Sequence, residues 1–389
     1  MPDPGVPAHR RPRARSRDLD IVIGRGRPGP HDAITDVPGV RVGHTTLIRG
    51  HGPLEIGSGP VRTGVTVVVP SGRVGEETLF AGCHRLNGNG ELTGLEWIRE
   101  SGMLTSPIAI TNTHSVGVVR DALVAADVRG RPPGEVRWSL PVVGETWDGL
   151  LNDINGMHVR PEHAWAALEA ASDGPVPEGN VGGGTGMTCH GFKGGIGTAS
   201  RVVDGADGGY TVGVLVQSNY GRRERLTVNG VPVGMEIPAS EVPTPDDDLR
   251  TEEAGSIIVV VATDAPLLPH QCERVAQRAG LGIARVGGVA AHSSGDLFVC
   301  FATGNRTLAR NDERGRKPDV TIPVTMLADV HITPLFEAAL DATEEAIVNA
   351  LLAAETMTGR DGITAHALDH ERLLDVMATY GRLPGRASP

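Results

Sequence analysis

Residues 241–268 read EVPTPDDDLRTEEAGSIIVVVATDAPLL, and the character of the chain changes at one peptide bond inside them. Up to Gly255 the stretch is acidic, proline-containing and without apolar periodicity, the composition of an exposed linker. From Ser256 it becomes SIIVVVAT, apolar and mostly β-branched, as in a strand buried on both faces of a sheet. A serine after a glycine is a common entry from loop into strand. The same pair also suits self-cleavage, in which Ser256 attacks the Gly255 carbonyl and converts the peptide bond to an ester that water cuts. Glycine suits that step because, without Cβ, it takes strained geometry and leaves its carbonyl open. The new N-terminal serine would carry an α-amine of pKa about 8, a base beside its own hydroxyl.

Around this junction, apolar strands alternate with amphipathic helices. TGVTVVVP (63–70), PIAIT (107–111), TVGVLVQSNYG (211–221) and LFVCFAT (297–303) read as buried strands. Helices are expected over 116–126, 162–171, 267–278, 337–354 and 370–379. No repeat of 20–50 residues appears, so a solenoid is excluded. The expectation is a mixed α/β chain with helices on both sides of stacked sheets. Order is expected to begin near Asp20, giving a disordered basic tail (1–19) and a single domain (20–389).

Composition narrows the function. With 389 residues, 39% of them hydrophobic, the chain can bury a large core. A formal charge of −11 argues against nucleic acid or an anionic membrane as partner and favours small substrates. Glycine (53) and proline (28) are abundant, but they alternate with Val, Ile and Ala runs and so mark tight turns between buried strands. Cys83, Cys189, Cys272 and Cys300 show no CxxC spacing, so neither a disulfide framework nor a zinc site is expected. His31, Asp32 and His44 lack ligand spacing, and no metal or cofactor is expected. The basic N-terminus has no apolar core and no segment is long enough to span a membrane, which leaves the cytoplasm.

Three further places can carry chemistry. In AAHSSGDLFVCF (290–301), Gly295 sets a tight turn between Ser294 and Asp296, whose side chains can project to one side. There they can orient the Ser256 nucleophile and move protons, or simply cap the strand as a turn. His292 suggests a Ser-His-Asp set, but nothing in the spacing fixes its geometry. Asn219, ending a strand, can turn the chain or donate an amide N–H to an oxyanion, a contact worth roughly 3 kcal/mol. The run GNVGGGTGMTCHGFKGGIG (179–197) lacks a GK[ST] ending, so close backbone packing explains it better than a nucleotide. Lys193, inside that run, is one of only two lysines. It can serve substrate charge or loop carbonyls.

Taken with DAITDVPGVRVGHTT, NGNGELTGLEWI, TNTHSVG, PVVGETWDGLLNDING and GGGTGMTCHGFKGGIGTASR, the junction GSIIVVVATDAPLLPH resembles the DmpA-type aminopeptidases. That family includes L-aminopeptidase/D-esterases and β-peptidyl aminopeptidases, and the likeness runs along nearly the whole chain. It implies a four-layer αββα sandwich similar to N-terminal-nucleophile hydrolases. It also implies an α-chain ending at Gly255, a β-chain starting at Ser256, and a homotetramer of αβ protomers. By motif, Ser256 is the nucleophile, Ser294 and Asp296 its polar partners, and Asn219 the oxyanion asparagine. Glu145 would hold the free amine of a small peptide, amide or ester substrate.

Trp147 stands where some relatives have tyrosine; an indole N–H donates a hydrogen bond but accepts none. Two alternatives remain at this level. One is an acyltransferase of the ornithine-acetyltransferase type, against which a serine rather than threonine at 256 argues. The other is an uncleaved, non-catalytic small-molecule binding protein on the same fold.

Overall fold

The structure, a computed structural model, describes residues 13–71, 77–134, 138–245, 255–306, 308 and 320–383. Most of the acidic linker and residues 1–12 of the basic tail lie outside them.

The strands are β1 (Arg41–Arg49), β2 (Val61–Val69), β3 (Leu79–Gly88), β4 (Met103–Leu104), β5 (Ile108–Asn112), β6 (Val142–Thr146), β7 (Thr188–Cys189), β8 (Phe192–Lys193), β9 (Gly195–Val202), β10 (Thr211–Asn219), β11 (Ser256–Thr263), β12 (Gly295–Ala302) and a short pair, β13 (Met357–Thr358) and β14 (Thr364–Ala365). The helices are α1 (Leu95–Ser101), α2 (Val116–Arg129), α3 (Pro161–Glu169), α4 (Val233–Glu236), α5 (Pro269–Arg285), α6 (Thr333–Ala353) and α7 (His370–Thr379). One sheet has the order β1-β2-β5-β6 and the other β4-β3-β12-β11-β10-β9, with β7 and β8 forming a small separate hairpin.

Side-chain alternation along β11 shows how the layers stack. Ile257, Val259 and Val261 point into a core shared with α5 and α6. Ile258, Val260 and Ala262 point the other way, against Val68, Ile108 and Ile110 of the four-stranded sheet. A third core joins the far side of that sheet (Val65, Val67, Ala109, Val143) to α2 and α3. The result is helices, sheet, sheet, helices: an αββα sandwich. Each buried Val or Ile side chain contributes about 1.5–3 kcal/mol, so β11 is anchored from both faces. Glycine sets one layer spacing: a Cβ on Gly197 in β9 would overlap the Ala346 carbonyl of α6.

Order starts earlier than Asp20. Ser16 is fully buried and its N–H donates to Asn349 Oδ1 at 2.9 Å, while Arg15 pairs with Glu178 at 2.6 Å. Arg17 pairs with the buried Glu345 at 2.8 Å. Residues 13–19 are therefore part of the folded body, clamped by arginines whose value a basic-tail reading overlooks.

Candidate active site

Ser256 is the first residue of β11, an interior strand. It stands opposite Asn219 of antiparallel β10 and opposite Gly295 of parallel β12. The Gly295 N–H donates to Ser256 Oγ at 3.1 Å and to the Gly255 carbonyl at 3.2 Å. One donor thus touches both oxygens of the junction.

Gly255 has no left-handed backbone angle. Its lack of a side chain is needed for space, because an added Cβ would sit 2.8 Å from Tyr220 Cα and 3.1 Å from the Asn219 carbonyl oxygen. The expected strained glycine is in fact a closely packed one. Gly295 is similarly confined: a Cβ there would lie 2.8 Å from Gly90 Cα in the NGNG loop.

Ser294 Oγ donates to Asp296 Oδ1 at 2.7 Å, and both residues are buried. Their side chains share one side, as expected. Asp296 keeps step with Phe298 and Cys300 on the helix-facing side of the sheet, whereas Ser256 keeps step with Ile258 on the other. The pair therefore approaches the junction from behind, and among the described residues no hydrogen bond links Ser294 to Ser256 directly. Burial pushes the Asp296 carboxyl up to about 6, with the Ser294 hydroxyl opposing the shift.

Asn219 is fixed at both ends of its amide. Oδ1 accepts from the Thr188 N–H at 2.8 Å, and Nδ2 donates to the Trp147 carbonyl at 3.0 Å. Since an amide nitrogen carries two protons, one is left to aim at a reacting oxygen. Glu145, on β6, is buried; it accepts from the Glu91 N–H at 2.9 Å and from the Thr113 hydroxyl. Burial raises its carboxyl above the usual range and those two donors oppose the rise. A Cβ on Gly90 would be 3.0 Å from Glu145 Oε1 and 3.1 Å from Gly295 Cα, so Glu145 and the junction flank the same glycine.

Two other expected residues, and His292, which was not expected in the site, sort differently. Trp147 follows Glu145 and is 40% exposed, with its carbonyl on Asn219. Lys193 is not turned to a substrate. Nζ donates to the carbonyls of Met187 (2.7 Å), Gly194 (2.9 Å) and Gly184 (3.3 Å), which uses all three protons, and burial lowers its pKa to about 7. The substrate-binding expectation for Lys193 gives way to one of closing the glycine run. His292 is exposed.

The supporting donors Thr113, Thr188 and the NGNG loop lie inside the quoted motifs, which gave them no role of their own. Asn89 of that loop ties itself to Ser293 and Ser294 through their carbonyls, at 2.7 and 3.2 Å. Glycine flanked by asparagine twice in succession was the available signal. Among the described residues, no group of three or more His, Cys, Asp or Glu is arranged to hold a metal, and no helix is long and apolar enough to cross a membrane.

A four-layer αββα body that places a Gly-Ser junction at the head of a central strand defines the class of self-processing N-terminal-nucleophile hydrolases. The profile of peptidase family S58 matches residues 32–365, and the chain belongs to that family. It is 50% identical over 382 residues to the beta-peptidyl aminopeptidase BapA of Sphingosinicella microcystinivorans, covering 95% of this chain and 93% of that one. The solved structure of a Burkholderia sp. beta-aminopeptidase superposes with a TM-score of 0.87 at 55% identity, covering 94% of this chain and 98% of the other. The L-aminopeptidase D-Ala-esterase/amidase of Ochrobactrum anthropi, described as a variant of the Ntn hydrolase fold, gives 0.86 at 44% identity, covering 96% and 100%. The chain is a serine aminopeptidase, and these matches do not favour the acyltransferase alternative.

Proposed function

We propose that Ser256 first cuts its own chain and then, as the new N-terminus, removes N-terminal residues from small peptides, amides and esters. The observation that carries this is the single Gly295 N–H bonded to both Ser256 Oγ and the Gly255 carbonyl. In the precursor, Oγ attacks the Gly255 carbonyl carbon, and the N–H stabilises the charge that grows on its oxygen. The C–N bond breaks, the nitrogen leaves as the α-amine of Ser256, and water hydrolyses the ester. The freed amine then takes the proton from Oγ as substrate is attacked. Ser294 and Asp296 orient that amine. The spare Nδ2 proton of Asn219 and the released Gly295 N–H receive the substrate oxyanion, and Glu145 holds the substrate's ammonium.

Substrates with a β-amino N-terminal residue belong to this proposal because two of the matched relatives are named for that activity. Trp147, at the rim, forms an apolar wall for the acyl side chain. The active form is a cytoplasmic homotetramer of αβ units, checked by light scattering on the processed protein and by fractionation of its cells.

The deciding experiment is intact mass and N-terminal sequencing of wild type beside Ser256→Ala. The expected result is two wild-type fragments, one beginning SIIVV, and a mutant left whole. A folded wild type that stays whole and inactive would overturn the mechanism.

A further inference from the structure

The two groups that hold a substrate in the reading above, the Glu145 carboxylate and the Gly295 N–H, belong to different sheets. Glu145 lies on β6 of the four-stranded sheet, and Gly295 is the first residue of β12 in the six-stranded one. A three-residue stretch, Asn89-Gly90-Glu91, is bonded to both sides. The Asn89 N–H donates to the Ser294 carbonyl at 3.2 Å, and that carbonyl shares a peptide plane with the Gly295 N–H. Asn89 Nδ2 holds the preceding carbonyl, of Ser293, at 2.7 Å. Two residues on, the Glu91 N–H donates to Glu145 Oε1 at 2.9 Å.

Gly90, in the middle, has no side chain to keep the two groups apart. A Cβ there would be 3.0 Å from Glu145 Oε1 and 3.1 Å from Gly295 Cα, both closer than ordinary van der Waals contact. The carboxylate oxygen and Gly295 are therefore no farther apart than those two contacts laid end to end. Gly295 fits as closely from its own side: a Cβ on it would be 2.5 Å from the Asn89 carbonyl oxygen and 2.8 Å from Gly90 Cα. Gly90 has no left-handed backbone angle, so glycine stands there for space and not for conformation.

We propose that Asn89-Gly90-Glu91 gauges the substrate, with Gly90 the specificity-determining residue: it sets how many carbons fit between the ammonium group and the scissile carbonyl. An α-amino residue has one such carbon and a β-amino residue two, a difference of about 1.5 Å of bond length. The substrate is held at both ends, its ammonium by Glu145 and its carbonyl oxygen by the Gly295 N–H. Only a spacer that matches the gap then brings the carbonyl carbon to Ser256. A misplacement of about 1 Å costs on the order of 10²-fold in rate. The inference rests on the readings of Glu145 as the ammonium site and Ser256 as the nucleophile given above.

The test compares L-alanine p-nitroanilide with β-alanine p-nitroanilide on processed wild type, Gly90→Ala and Glu145→Asp. Gly90→Ala presses a methyl group on the carboxylate, which, as the end of a side chain, yields before the main chain of β12 and widens the gap. The β-to-α ratio of kcat/KM is expected to rise about threefold or more over wild type. Glu145→Asp draws the carboxylate back toward its own sheet by about one bond, and the ratio is expected to rise about tenfold or more. A ratio that stays within twofold of wild type, or falls, in a folded Gly90→Ala enzyme overturns the proposal. Should Gly90→Ala not fold or not process, the ratio in Glu145→Asp decides by the same criterion. Equal losses on both substrates in Glu145→Asp leave Glu145 as the ammonium site and remove the gauge. No loss on either substrate removes the ammonium site itself, and a wild type that never cleaves itself removes the reading of Ser256.

Discussion

Ser256 and Gly295 are joined across the parallel β11–β12 pair by a bond from the Gly295 N–H to Ser256 Oγ, 3.1 Å long, and the same N–H reaches the carbonyl that Ser256 would attack. In a regular parallel ladder that N–H would serve the carbonyl alone. Sharing it brings the nucleophilic oxygen and the electrophilic group to one donor. The register that achieves this comes from the whole length of two buried strands, so the geometry is held rigidly.

That register depends on Gly255 lying against the main chain of Tyr220. Gly255→Ala puts a methyl group 2.8 Å from Tyr220 Cα, so the junction must shift from its place between Tyr220 and Gly295. Self-cleavage is expected to slow by about tenfold or more, because small displacements of reacting groups carry large rate costs. A time course by intact mass checks it. Cleavage of a folded Gly255→Ala chain at the wild-type rate contradicts the shared-donor account.

Asn219→Ala removes the spare amide proton and also unties Thr188 and the Trp147 carbonyl. For loss of one oxyanion donor, kcat is expected to fall by roughly 10²–10³. Comparing kcat with KM on the processed enzyme separates the effects: a change confined to KM would assign Asn219 to substrate positioning.

Much of this was legible in the sequence. The apolar runs of β2, β10, β11 and β12 declare themselves, and the amphipathic spans of α3 and α7 fall within a residue or two of their limits. Among the strands that escaped, β1, β3 and β9 each carry a glycine pressed on by a helix. Gly43 meets the Ala167 carbonyl of α3, Gly82 lies 2.7 Å in Cβ terms from the Pro269 carbonyl of α5, and Gly197 meets Ala346 of α6. Glycine weakens a strand locally, so tertiary packing, not local preference, makes these segments strands. In the site, the chemical groups could be listed from motifs, whereas Thr113 and Thr188 act by three-dimensional contacts that no local pattern announces. The arginines at 13, 15 and 17 looked like a solvated tail because the partners that bury them, the Leu368 carbonyl, Glu178 and Glu345, lie more than 150 residues away.

The Asp296 carboxyl, raised to about 6 by burial, sets a pH dependence. If the anion orients Ser294, kcat/KM should fall as pH drops through about 6, and Asp296→Asn should be nearly inactive with that limb lost. Stability runs the other way. A raised folded-state pKa means the buried anion opposes folding above pH 6, and the penalty lifts as pH falls toward the ordinary carboxylate range. Relative to wild type, Asp296→Asn is therefore expected to be more stable at pH 7.5 than at pH 4.5. Denaturant midpoints at the two pH values test this; a difference of opposite sign would mean that the folded state favours the anion.

Lys193→Met tests the closing role of that lysine. It strands three carbonyls in the interior, and a buried group left unpaired costs about 1–3 kcal/mol. A lower denaturant midpoint with unchanged KM is expected of the folded fraction. A raised KM at unchanged stability would return Lys193 to the substrate.

Glu145 separates the two reactions of the site. Self-cleavage acts on an internal peptide bond with no free amine to hold, whereas substrate hydrolysis begins with an ammonium group that must be held. Glu145→Gln keeps the shape and loses the charge; its amide oxygen can still accept from the Glu91 N–H, while its NH2 would donate to the Thr113 hydroxyl, which reverses that bond. Charged hydrogen bonds are worth about 1.5–3 kcal/mol, so KM for a dipeptide should rise by about ten- to a hundredfold. The extent of self-cleavage should match wild type. Because burial raises the Glu145 carboxyl, wild-type KM should also climb as pH falls, and the variant should lack that climb. Slow self-cleavage in Glu145→Gln, with KM unaltered, would instead make Glu145 a support for the NGNG loop that crosses Gly295.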